Sequence, residues 1–478
     1  MTKDLIYDIY DKPPMSKRLI FAFQQFLAIL SATIAVPTLI GIPTQIPAAI
    51  FGAGVGTLIY QLFTKFKSPV FLGSSFAFLG SLGIALAYGY CGIVLGAIVA
   101  GLVYVALAIV VRFVGTAWVA KLMPPVIIGP TVTLIGLSLA ENAMGNIVTA
   151  DGATAAAKSY NLVALLCGLV AFLTIIICST QKKYTMPKLI PFVIGIAAGY
   201  AVASVFTVIG MVANVEYLKI VNWAPIVNNF MDAEGQFVGI SAFFTVPKFA
   251  VIEAFKELGS GTLAPEILSA TKGSATVMNA GGIAEVAFAF LPVALVVFAE
   301  HIADHKNLSS IIGQNLIEEP GLEKTLLGDG VGSIVGTMFG ICPNTTYGES
   351  VGCVAVTKNA SVVTITTTAF MCMILSFFSP LTTALQTIPS CVMGGVCLTL
   401  YGFIAVSGLK MLKEVDLNLG RNLFVVAAIL ISGIGKLKLQ ITDSIQITPI
   451  ATALLLGILT NAVLIRVENG KKAKSNQD

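Results

Sequence analysis

Cys342 to Gly352 reads C-P-N-T-T-Y-G-E-S-V-G, and this run decides how the apolar chain around it can fold. Pro343 and Asn344 precede two β-branched hydroxyl residues, then Tyr347 and Gly348, which suits a short extended piece; a half-helix then starts near Glu349. Such a break leaves backbone amides free beside a carboxylate and a helix N-terminus. Together they can hold a flat, polar solute whose carbonyls take N–H donors and whose own N–H groups donate to Glu349.

The chain around this run is 478 residues long, 56% hydrophobic and 11% charged, with a mean hydropathy of +0.91. An ordinary soluble domain carries about 25% charged residues, so a soluble globular protein is excluded. Apolar stretches recur from near Lys17 to near Arg466, and about 20 such residues span a bilayer as a helix. The 45 glycines and 20 prolines, many inside those stretches, fit helices that pack closely or break. The formal net charge of +4 comes with no long basic block, which excludes nucleic acid as a partner. Cys91, Cys167, Cys178, Cys342, Cys353, Cys372, Cys391 and Cys397 lack metal-ligand or disulfide spacing and read as small packing residues. The N-terminus has no apolar core followed by a small-residue cleavage site, so the first span is expected to stay in the mature protein.

Fourteen candidate spans begin near residues 18, 46, 69, 91, 124, 160, 187, 284, 324, 345, 361, 388, 420 and 448. If they alternate from a cytoplasmic N-terminus, 21 of the 28 Lys and Arg residues fall inside, among them Lys3, Lys182, Lys183 and Lys188. Lys158, Lys219, Lys248, Lys256, Lys272, Lys436 and Lys438 stay outside, a positive-inside bias that puts both termini in the cytoplasm. The one long outer segment, about residues 211–283, includes a stretch from Glu253 to Gly282 that reads as an inserted loop.

The two halves of the chain echo each other. Phe23 to Ala28 aligns with Phe298 to Ala303, Ser74 to Ala77 with Thr345 to Gly348, and Pro124 to Gly129 with Pro389 to Gly394. Two halves of seven spans each require the second to be inverted, and inverted repeats with broken spans at matching positions point to a secondary transporter with its site near the membrane midplane. The fold class expected is therefore an all-α polytopic membrane protein, fourteen segments in a 7+7 inverted repeat, with short extended pieces breaking segments 3 and 10.

Polar residues deep in apolar spans mark the candidate site. Leu291 to Phe298 leads without a charge into Ala299-Glu300-His301-Ile302-Ala303-Asp304-His305, which sets Glu300 inside a span and Asp304 one turn beyond it on the same face. A carboxylate in hydrocarbon costs at least about 2.5 to 3.5 kcal/mol, so Glu300 and Glu349 are expected to face a cavity. His301 points about 100° away from Glu300. His305 adjoins Lys306 at a span edge, where solvation and a proton relay are both open readings. Phe76, from the break in span 3, and Tyr347 are placed either to stack on a ring or to pack.

The segments Tyr347 to Lys358 (Y-G-E-S-V-G-C-V-A-V-T-K), Leu72 to Phe78 (L-G-S-S-F-A-F) and Phe298 to Ile302 (F-A-E-H-I) resemble the nucleobase-ascorbate transporter family, also called nucleobase:cation symporter-2, and within it the bacterial uracil permeases. The resemblance runs from about Pro13 to about Arg466. It implies a core domain at 18–122 (segments 1–4) and 284–386 (segments 8–11), and a gate domain at 123–210 (segments 5–7) and 387–466 (segments 12–14). Residues 1–17 and 467–478 would be cytoplasmic and 211–283 an outer loop. It also implies import of a nucleobase, most simply uracil, by proton symport in the cytoplasmic membrane of a bacterium, with xanthine or another purine as the alternative substrate and sodium as the alternative coupling ion. No cofactor, metal or enzymatic role is implied, and the assembly implied is a homodimer.

Carried over residue by residue, Glu300 and Glu349 match the two glutamates that hold the base, and Phe76 matches the stacking phenylalanine. Tyr347 and Gly348 match positions beside the base, Tyr401 a gate tyrosine that closes over it, and Ala32 a small residue of span 1; Gln24 is what remains of the family's Gln-His pair in span 1, and Ser75 adjoins Phe76. Glu300, Asp304 and His301 are the proton-coupling candidates. Three positions depart from the family's pattern: Gln25 stands for the histidine of a Gln-His pair, Asp304 for a histidine linked to proton coupling, and Ser350 for an asparagine. Two facing carboxylates can share one proton, so Glu300 and Asp304 are placed to take up the co-transported charge. Other classes fit less well. A channel needs a continuous polar stripe along several spans, whereas here polar residues gather at two breaks. An enzyme needs a nucleophile, metal or cofactor set, and the two histidines are separated by Ile-Ala-Asp rather than the Glu-first pattern of a zinc hydrolase. An anion exchanger would meet two repelling glutamates.

Overall fold

The structure is a computed structural model and describes residues 5–153, 160–181, 187–188, 190–232, 234–442 and 446–475. Lys3, Lys158, Lys182 and Lys183, counted in the charge bias, lie outside the described residues.

The chain is mostly helical, and among the described residues nine helices are long and apolar enough to cross a membrane. Seven of them are α1 (Met15–Leu39), α2 (Ile46–Phe63), α4 (Gly89–Val114), α6 (Leu162–Thr180), α7 (Pro191–Val212), α9 (Ala280–Ile312) and α13 (Ser390–Met411). The others are built on α5 (Pro125–Ser138), which the apolar span extends to Ile147, and α15 (Pro449–Ser475). Other helices include α3 (Leu79–Leu86), α8 (Ala250–Ser260), α10 (Leu322–Phe339), α11 (Gly348–Thr357), α12 (Val362–Leu375) and α14 (Gly420–Ile434). Large apolar side chains on these helices stand exposed, Leu102, Leu173, Val205 and Ile431 among them, as a lipid-facing surface requires.

The two expected breaks are present. β1 (Leu72–Ser74) and β2 (Asn344–Thr346) are three-residue strands that pair antiparallel, with Leu72 opposite Thr346, Gly73 opposite Thr345 and Ser74 opposite Asn344. All six residues are buried. Each strand satisfies the other's backbone, and this is what lets non-helical chain sit at membrane depth. Gly73 is required here, because a Cβ at that position would lie 2.3 Å from the Tyr347 ring.

Helices pack in two sets. In one, α10 lies against α2 and α4, α9 against α4, and α12 against α2 and α1. Close approach comes from glycine: a Cβ on Gly52 would stand 2.3 Å from the Gly336 carbonyl oxygen, and one on Gly101 2.6 Å from that of Gly330. In the other set α13 packs on α5 and α6, α7 on α6, and α14 on α5 and α15. The sets meet where α9 touches α5 and α15, and where α1 touches α7 and α13.

The stretch read as an inserted loop is more ordered than that description. Residues 250–260 and 265–270 are helical, and α8 packs on α4. Glu257 is 2% exposed and accepts the Tyr90 amide at 2.8 Å and the Cys91 amide at 3.4 Å, which caps the start of α4. An acidic residue in a polar loop gives no sequence signal that it will cap a distant helix.

Candidate functional site

The site forms where α9 and the β1–β2 breaks face α13 across a cavity of about 330 Å³. Small-molecule sites run about 300–1,000 Å³, so this one suits a small solute. Glu300 and Asp304 reach it from α9, Tyr347, Gly348 and Glu349 from the turn between β2 and α11, and Ser75 and Phe76 from the turn after β1. Val132, Leu400, Phe403 and Ile404 form an apolar wall on the α5–α13 side. Ser179, Asn307 and the exposed Lys188 also line the cavity.

Glu349 lies in the first turn of α11, where a helix has amides without intrahelical partners and a partial positive charge. Glu300 lines the cavity and keeps a buried Oε2 with no hydrogen-bond partner among the described residues. Asp304 instead accepts the Thr346 hydroxyl at 2.6 Å, which ties α9 to β2. The Tyr347 hydroxyl donates to the Ser74 carbonyl at 3.1 Å and so holds the two breaks together. Phe76 stands edge-on to the Tyr401 ring, 5.3 Å between centroids and 86° between planes, a contact that spans the two helix sets.

Several expected residues are near the cavity rather than in it. Tyr401 is buried behind Phe76. Ala32 is buried in α1 and leaves the wall of the cavity to other residues. Gln24 and Gln25 are buried on α1, and the Gln25 amide donates to the Ser350 hydroxyl. Two of the three departures from the family pattern are thus each other's partner, one position along from Glu349.

His301 turns away from the cavity, as its position on the helix predicts. Its Nδ1 lies 2.6 Å from an Asp329 carboxylate oxygen and its Nε2 3.1 Å from the Thr325 hydroxyl. The same Asp329 oxygen accepts the Thr345 hydroxyl at 3.3 Å, so His301 and Asp329 brace β2 from behind. His305 stacks on His301 at 4.0 Å between ring centroids and meets the Tyr60 hydroxyl at 2.8 Å, which in turn meets Ser68. His305 is therefore buried rather than solvated.

Sequence reasoning missed Asp329. The signal was present, because Leu326-Leu327-Gly328-Asp329-Gly330 sets a carboxylate in a glycine-rich apolar span, the same argument that singled out Glu300. The apolar wall carried no such signal, since Val132 and Phe403 differ in no way from packing residues until two helices are brought face to face.

The family model described as "Permease family" matches residues 16–442. The uracil permease of Bacillus caldolyticus is 33% identical over 463 residues, covering 96% of this chain and 94% of the relative. That of Bacillus subtilis (strain 168) is 33% identical over 473 residues, covering 98% and 97%, and that of Escherichia coli (strain K12) 30% over 455 residues, covering 94% and 92%. Among solved structures, SLC26A9 superposes with a TM-score of 0.61 at 11% identity, covering 95% of this chain and 66% of that one. The transmembrane domain of the cyanobacterial bicarbonate transporter BicA gives 0.54 at 12%, covering 95% and 99%. At such identities these two show a shared fold. The relatives matched by sequence are permeases, not enzymes, and on this match the chain belongs to the permease family that includes the uracil permeases, the nucleobase:cation symporter-2 group.

Proposed function

We propose that this protein imports uracil with a proton across the bacterial cytoplasmic membrane. The observation that carries the reading is the pair of carboxylates, Glu300 and Glu349, that reach one cavity from separate elements beside Phe76 and the first turn of α11. Uracil has two ring N–H donors and two carbonyl acceptors on a flat ring. Glu300 and Glu349 accept the donors, the amides at the α11 start serve a carbonyl, and Phe76 covers the ring face.

In this reading the helix set containing α9, α10 and α11 is the core and the set containing α5 and α13 the gate, arranged as a 7+7 inverted repeat of fourteen segments. With both termini cytoplasmic, Lys188 marks the inner face and the cavity is open inward. A proton shared between Glu300 and Asp304 neutralises the loaded core so that it can move against the gate. One positive charge moving inward gains about 2.3 kcal/mol per 100 mV, enough to concentrate a neutral base several tens of fold. The anion-transporting relatives in fold lend no substrate here, because two carboxylates repel an anion.

The cavity of about 330 Å³ also leaves room for a bicyclic purine, which keeps xanthine as the second reading. Thermal shift of the purified protein with uracil or xanthine, at pH 5.5 to 8 with and without sodium, separates them by mass action. Stabilisation by uracil, growing at acid pH and indifferent to sodium, is the expected result. Stabilisation by xanthine alone moves the substrate to purines, and a strict sodium requirement replaces the proton.

A further inference from the structure

Leu5-Ile6-Tyr7-Asp8-Ile9-Tyr10-Asp11 precedes the first helix and has no part in the site described above. Ile9 is 1% exposed, whereas Ile6 and Tyr10 are 62% and 59% exposed, and residues 8–11 close a turn in which the Asp11 amide donates to the Asp8 carbonyl at 3.1 Å. The segment lies along the connector 358–362. The Ile6 and Tyr7 amides donate to the Lys358 carbonyl at 2.8 and 3.3 Å, and the Tyr7 and Ile9 carbonyls accept the Ala360 and Val362 amides at 2.9 and 3.0 Å. Ser361 Oγ donates to the Asp11 carbonyl at 2.6 Å, and Tyr7 and Asn359 form a parallel bridge.

This connector anchors the C-terminal end of α11, the half-helix that starts beside Glu349. Lys358 closes α11 in the left-handed conformation, φ 56°, with its amide on the Val354 carbonyl at 2.9 Å. Ten residues make a helix of about 15 Å, too short to be stable alone, so its tilt is set by whatever holds its two ends. The β1–β2 pair holds the end at Glu349. The other end is held by residues 5–11, whose Ile9 shares a buried apolar cluster with Val351 and Val354 of α11, Tyr60 of α2 and Leu308 of α9. All of these partners belong to the α2–α9–α10 set.

We propose that residues 5–11 are a positioning strap: they fix the half-helix that carries Glu349 and travel with the core through the transport cycle. The proposal rests on the reading of Glu349 as a base-binding group. Ile9→Asp, in the full-length protein, should raise the Kd and KM for radiolabelled uracil about tenfold while Vmax changes little, and Ile9→Val should restore both. An unchanged Kd in folded Ile9→Asp protein overturns the proposal. Should that variant fail to fold, a Tyr7→Cys/Asn359→Cys pair decides, since neighbouring strands about 4.8 Å apart lie within disulfide range. Uptake into vesicles should survive copper-phenanthroline oxidation, measured against both single variants. Uptake lost on oxidation and regained on reduction shows that the strap must detach, and overturns it. Wild-type protein that binds xanthine and not uracil sinks the substrate reading alone, and the same variants are then scored with xanthine.

Discussion

Glu349 and Glu300 face the same cavity with different surroundings, and their replacements should differ accordingly. Glu349→Gln keeps the shape but swaps an acceptor for a donor where the base presents N–H, so uracil binding should weaken by about 1.5–3 kcal/mol, roughly 10- to 100-fold, by equilibrium binding. Wild-type affinity in that variant would remove Glu349 from the site. Asp304→Asn retains the Thr346 contact through its amide oxygen, so binding should persist while uptake loses its pH dependence. A pH profile unchanged from wild type would take Asp304 out of the proton path. Ser350→Ala strands the buried Gln25 amide donor, and a loss of about 1–3 kcal/mol in stability is expected in a melting experiment. These side chains could be found from sequence because a charge in hydrocarbon has few reasons to exist. Asp329 obeyed the same argument, yet its partners His301 and Thr345 come from two other elements and only the folded chain joins them.

At the scale of elements, the paired breaks were legible because Thr-Thr-Tyr-Gly and Ser-Ser-Phe-Ala interrupt helical periodicity at matching places. Their antiparallel pairing was not, since strand partners far apart in sequence leave no mark on either one. Gly73→Ala tests that pairing: its Cβ has no room beside Tyr347, and overpacking of about 1–3 kcal/mol should lower the melting temperature and weaken base binding together. The loop helix α8 offers a pH test. Burial pushes the Glu257 carboxyl above its ordinary value, and the amides of Ala264, Cys91 and Tyr90 pull it back in part. A carboxyl raised on folding takes up a proton more readily than in the unfolded chain, so this group favours the fold below its unfolded value and penalises it as pH rises through the folded one. Glu257→Gln should therefore melt higher than wild type near neutral pH, with the difference shrinking toward pH 4.5. A difference that grows on acidification would show the ionised cap to be the stabilising form.

The whole molecule works, in the proposed reading, by sliding one helix set along the other. Gly80 of α3 and Thr448, just before α15, lie across that boundary, where a Cβ at Gly80 would stand 3.8 Å from Thr448 Cγ2. Gly80→Cys/Thr448→Cys, oxidised, should block uptake while leaving base binding intact, and reduction should restore it. Full uptake with the cross-link in place would show that the sets need not separate there.

The amino-acid sequence by itself determined that the chain crosses a membrane many times, that two of its spans break, and that Glu300 and Glu349 face a cavity. Each follows from a local cost: apolar length, lost helical periodicity, or a carboxylate in hydrocarbon. Tertiary structure alone decided that Gln25 pairs with Ser350, that Asp329 and His301 brace β2, that Glu257 caps α4, and that residues 5–11 hold α11. These are contacts between segments far apart in sequence, made by groups that could bond equally well elsewhere, and only the packing of the helices selects the partner.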